Sequence, residues 1–201
     1  VLAIVALALV GGIFAAIAST QNDSGGQGRA DALDRYTGEV RGVLQSLRPA
    51  ASDMTTAPTS VGEQETRKAL RERATSWTET IEGAHTNLSR VLSPSSAQSA
   101  HSLFLQSAQI YLAAGKTYAL AAQIEGDDAD RVLARAAEQR DQGGQLWQSA
   151  TVLLDEQRAE VGLGVSGLTP PSLPPAQPQD GTGAGSGQGD GSGAGAGSGG
   201  G

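Results

Sequence analysis

Cysteine is absent from the 201 residues, which removes disulfides, thiolate metal sites, a cysteine nucleophile and a lipid-modified N-terminal cysteine from consideration. Lysine is nearly absent: Lys68 and Lys116 are the only two among 14 basic residues, and the formal net charge is −7. With no clustered cationic tract to release counterions from phosphates, nucleic acid is not an expected partner. Charge of either sign is missing before Asp23, and every basic residue falls between Arg29 and Arg158. Aromatics make up 3% of the chain, so each ring weighs heavily in any core that forms.

What is present begins with VLAIVALALVGGIFAAIA, in which Val1 to Ala18 are apolar or glycine throughout. That length is near the lower limit for a helix crossing a bilayer. Ala16-Ile17-Ala18 also fits a small-x-small signal peptidase site, but the apolar run is long for a cleaved signal. The expected reading is a single-pass membrane anchor, with a secreted product if the segment is cleaved. Ala8, Gly12 and Ala16 repeat at i, i+4 and i+8, a stripe that lets membrane helices approach closely. The lipid bilayer and other membrane protein subunits are therefore the expected partners. No basic residue follows the run until Arg29, and the positive-inside bias then places the folded part outside the cytoplasm. Abundant Ala and Gly with Arg favoured over Lys resemble the composition of a high-GC bacterium.

Residues 19–28, STQNDSGGQG, read as a flexible linker. Beyond them the apolar period is helical and no period-2 strand stands out. The expected fold class is all-α: an antiparallel up-and-down four-helix bundle over 29–162. A single N-terminal transmembrane helix precedes it, and a disordered Pro-rich, then Gly/Ser/Ala-rich, tail over 163–201 follows it. The first helix, from Arg29, carries Leu33, Tyr36, Val40, Val43 and Leu47 and is expected to end at Pro49. Ser60 and Glu63 form a capping box for the second, whose seam is Leu70, Ala74, Trp77, Ile81, Ala84, Leu88 and Val91. Ser95 with Gln98 is a second such box, before a third helix over about 97–125 that is apolar around much of its circumference. Asp127 is the expected cap of a fourth helix over about 128–161. Inside it Gly143-Gly144 costs about 1 kcal/mol per glycine, which a bend or a close crossing would explain. Folding at Ser93-Pro94 sets Trp77 opposite Ile110, bringing both tryptophans into one layer with Phe104 and Tyr111.

Few residues carry chemistry. Gly115-Lys116-Thr117 lacks the first P-loop glycine, since position 110 is Ile110. The GxGxxG match in the tail reflects glycine everywhere. Val165-Ser166-Gly167 misses the nucleophile elbow because Leu168 replaces its final glycine. Glu82 and His85 share a helix face, and folding at Pro94 brings His101 towards them. Glu82, His85 and His101 are thus the candidate metal set, against the simpler reading of two surface histidines near a turn. No catalytic set and no cofactor are expected. The expected function is a non-catalytic, membrane-anchored extracytoplasmic helical bundle, structural or adaptor-like, serving as an accessory subunit of a membrane or envelope assembly. The alternative is an anchored or secreted ligand- or metal-binding module.

Overall fold

A computed structural model describes residues 25–172. The apolar run with its stripe Ala8, Gly12 and Ala16, residues 19–24 of the linker, and the tail beyond Ser172 lie outside the described residues. Within them the chain is all-helical: α1 (Gly25–Asp53), α2 (Gln64–Arg90), α3 (Gln98–Ala121) and α4 (Asp127–Glu160). Single 3₁₀ turns lie at Met54–Thr56 and Ser95–Ala97, and no strand occurs among the described residues. None of these helices is long and apolar enough to cross a membrane.

The seams read from periodicity are buried. Leu33, Tyr36, Val40, Val43 and Leu47 of α1 face the interior, as do Leu70, Ala74, Trp77, Ile81, Ala84 and Leu88 of α2. Neighbouring helices run in opposite directions. Asp53 at the end of α1 meets Arg73 and Trp77 early in α2. Arg67 near the start of α2 meets Glu125 just past α3. Phe104 and Ser107 early in α3 meet Trp147 and Gly143 in the second half of α4.

Helix boundaries differ from expectation wherever tertiary burial outweighs a local signal. Proline does not end α1; the helix begins at Gly25 and runs through Pro49 to Asp53. A proline inside a helix forfeits one backbone bond and costs about 3 kcal/mol. Here the ring points outward, while Ala50, Ala51 and Met54 beside it are 5%, 0% and 0% exposed. Continuing the helix is what seats them. The capping box at Ser60 is also absent: α2 starts at Gln64, and Glu63 at its N-cap makes no side-chain bond. Val61, 2% exposed, draws this connection onto the core instead. Ser95 and Gln98 form no box either, because a 3₁₀ turn bonding Ala97 N–H to the Pro94 carbonyl buries Ala97. Gly126 rather than Asp127 is the N-cap of α4, with φ of 70°. Asp127, Asp128 and Asp130 occupy the first turn, where the helix dipole favours negative charge.

The largest departure follows α4. Gly162, with φ of 76°, is the left-handed residue of a Schellman turn. Its N–H bonds to the Ala159 carbonyl at 3.0 Å, and Leu163 N–H to the Arg158 carbonyl at 2.9 Å. That turn reverses the chain, and residues 163–172 then run back as a non-helical strap between α1 and α4. Leu168 and Pro171 are buried. The expectation that order stops at residue 162 is therefore corrected as far as Ser172.

Candidate functional site

The expected metal set does not assemble. Glu82 is exposed on α2, and His85 is half-buried one turn further along. His101, in the first turn of α3, turns instead towards α1: its Nδ1 lies 3.2 Å from the Tyr36 hydroxyl, with the rings 5.8 Å apart and edge-on. Burial lowers the His101 pKa and raises that of Tyr36, favouring the neutral form of each. Among the described residues no group of three or more His, Asp or Glu side chains is arranged to hold a metal ion.

One register error accounts for this. Gly115 faces Thr78, whose Oγ1 would lie 3.0 Å from a Cβ at that glycine. Counting from that pair sets His85 level with about Ala108, two helical turns or roughly 10 Å from His101. The connection over 91–97 is longer than the tight turn the serines imply. The same offset parts the tryptophans. Trp77 packs edge-on against Tyr118 at 5.4 Å rather than beside Ile110, while Trp147 meets Phe104 at 4.7 Å with the rings tilted by 56°, as its spacing predicts. Trp147 is fully buried, and its Nε1 has no hydrogen-bond partner among the described residues.

What the structure does assemble is the seam between α1, α4 and the strap. Arg158 is its centre, with a side chain only 8% exposed. Its Nε donates to the Gly164 carbonyl at 2.8 Å, and its Nη1 donates to Thr37 Oγ1 at 2.8 Å and Asp34 Oδ1 at 3.2 Å. A buried guanidinium needs its fixed donors satisfied, and here two elements, α1 and the strap, supply three acceptors. Asp155 accepts from Ser166 N–H at 2.6 Å, while Arg41 donates to the Ser166 carbonyl at 2.7 Å. Arg48 donates to Thr169 Oγ1 at 2.9 Å, and the Tyr111 hydroxyl donates to Ser172 Oγ at 3.3 Å. Gly143 and Gly144 open the notch for this last contact. A Cβ at 143 would sit 2.9 Å from the Tyr111 ring, and one at 144 would sit 3.4 Å from Ser172 Oγ. The close crossing expected at the glycine pair is thus with a tyrosine ring rather than a backbone.

Beside the strap lies a cleft of about 470 Å³, lined by Arg41, Leu44, Arg48 and Pro49 of α1 and by Leu168 and Thr169. Its walls offer apolar surface and guanidinium donors. Arg158 follows Gly144, Trp147, Thr151 and Leu154 at three–four spacing, so an arginine on the helix's inward face was a signal available in the sequence. Gly162 directly after the last periodic residue was another. No family model, curated protein or solved structure matches this chain in three comparisons with known proteins.

Proposed function

We propose that the chain is a non-catalytic, single-pass, membrane-anchored protein whose antiparallel four-helix bundle stands outside the cytoplasm. In this reading it acts as a structural adaptor or accessory subunit of a membrane or envelope assembly. The observation that carries the reading is the charge-free apolar run Val1–Ala18, followed after six residues by a helix and by no basic residue before Arg29. Arg158, Asp155 and Ser107 each bond one element to another, which ties the helices and the strap into one unit. Ala8, Gly12 and Ala16 are the proposed contact with partner membrane helices.

Reconstitution tests this. Gly12→Leu is expected to reduce recovery of co-purifying membrane subunits while leaving the helical circular dichroism of the bundle unchanged. Identical recovery of every partner with Gly12→Leu would sink the assignment of the stripe. A second reading, an anchored or secreted ligand-binding module, draws on the cleft between α1 and the strap. A saturable rise in melting temperature with a small anionic ligand, abolished by Leu44→Asp, would favour it.

A further inference from the structure

We propose that the α1–α4 groove is a peptide-recognition site, filled in cis by residues 163–172 and able to take the same segment from a second copy of the chain. The occupant defines the chemistry of the groove. Three of its four guanidinium and carboxylate partners read main-chain atoms: Arg158 takes the Gly164 carbonyl, Asp155 the Ser166 amide and Arg41 the Ser166 carbonyl. Backbone-directed contacts of this kind give affinity for a non-helical segment, and side-chain pockets give selectivity. Leu168 and Pro171 fill those pockets, and the glycine notch at 143–144 receives Ser172 through Tyr111. The ligand class is therefore a proline-containing peptide with leucine three positions before the buried proline.

A second copy supplies that ligand without any new contact. The strap joins α4 through one short turn at Val161–Leu163, held by three main-chain bonds. Opening this turn in two copies at once lets the straps trade places, and every groove contact is rebuilt across a two-fold axis. Such reciprocal exchange is the low-cost route to a symmetric dimer. The inference does not depend on the membrane reading.

Site-specific cross-linking of the full chain tests it, because no native cysteine interferes. One version carries Gly144→Cys and one tag; the other carries Ser172→Cys and a different tag. A Cβ at 144 lies 3.4 Å from Ser172 Oγ, close enough for a disulfide to form. After unfolding and refolding together, the two versions are expected to give a disulfide-linked dimer bearing both tags. Its yield should exceed by about ten-fold that of a pair with exposed Ser102→Cys replacing Ser172→Cys. A single chain carrying both Gly144→Cys and Ser172→Cys reports closure in cis. If that chain closes and the mixture gives no two-tag dimer, the exchange is refuted. Failure of the double variant to close refutes the groove itself. Should Gly144→Cys lose its helical circular dichroism, Asp155→Cys with Ser166→Cys takes its place under the same two outcomes.

Discussion

Gly143 shows how a single hydrogen atom sets the helix spacing between α3 and α4. An added Cβ would meet Tyr111 Cδ2 at 2.9 Å and Cε2 at 3.0 Å, and the fully buried ring has no room to turn aside. Overpacking of this kind outweighs the helix-propensity gain, so Gly143→Ala is expected to lose about 1 to 2 kcal/mol. Gly83 is the contrast, with nothing within 4 Å of its added Cβ, and Gly83→Ala should gain about 0.5–1 kcal/mol. Urea unfolding of both variants checks the pair, and a Tyr111→Leu background should shrink the Gly143→Ala cost. Asp53 is the second decisive residue. Its carboxylate takes a bidentate fork from Arg73 and the Trp77 indole N–H at 2.7 Å. The Arg73 hydrogen bond is the main cause of its lowered pKa; burial opposes, and Trp77, Arg73's charge and Thr56 reinforce the lowering. A depressed carboxyl contributes stability above its unfolded pKa and loses that contribution as pH falls through the folded value. The stability gap between the native chain and Asp53→Asn is therefore expected near neutral pH and should close as pH drops below about 4. Equal gaps at both ends of a pH series of unfolding curves would overturn this.

At the scale of elements, the strap carries the most unexpected weight. Removing the chain after Gly162 strips Leu168 from the core, removes the buried Pro171 and leaves Arg158 without the Gly164 carbonyl. The expected loss is about 3 kcal/mol or more, from one buried leucine and several charge-assisted bonds. In that shortened chain Arg158→Met should cost less than in the full one, because its guanidinium has already lost an acceptor; denaturation monitored by the fluorescence of Trp77 and Trp147 reads both. Helix existence and seams were legible in the sequence, since a three–four apolar period survives any modest shift in boundaries. Caps and turns were not, because Ser60 and Pro49 signal locally while Val61 and Met54 are decided by the core. The same limit defeated the candidate metal set. Pairing His85 with His101 needed the α2–α3 register, and that register is set by the length of the 91–97 connection and by Gly115 against Thr78. The strap escaped notice because its sequence is rich in glycine and proline, and composition alone reads such a stretch as loose. Part of its order comes from partners more than a hundred residues away, Arg41 and Arg48 of α1.

Across the whole molecule, the proposed anchor at Val1–Ala18 would constrain where the bundle stands. Only residues 19–24 separate the apolar run from α1, a reach of about 20 Å at full extension. With that anchor in place, the end of the bundle that holds Gly25, Arg29 and its partner Glu160 would lie close to the bilayer. α1 has 29 residues and is about 43 Å long at 1.5 Å per residue, so the 3₁₀ turn that follows it, ending at Thr56, would stand far from the surface. Single cysteines at two exposed positions, Asp31→Cys and Thr56→Cys, convert that geometry into a measurement. In reconstituted vesicles with a headgroup-attached quencher, a fluorophore at 31 should be strongly quenched and one at 56 scarcely at all. Leu7→Arg with Leu9→Arg, each charge costing about 2.5–3.5 kcal/mol at mid-bilayer, should release the protein to the soluble fraction and abolish the difference. Equal quenching at both positions in the native chain would mean the bundle lies flat or is detached. A native product whose mass begins at Ser19 would remove the anchor itself, leaving the helices and their strap to act as a secreted module.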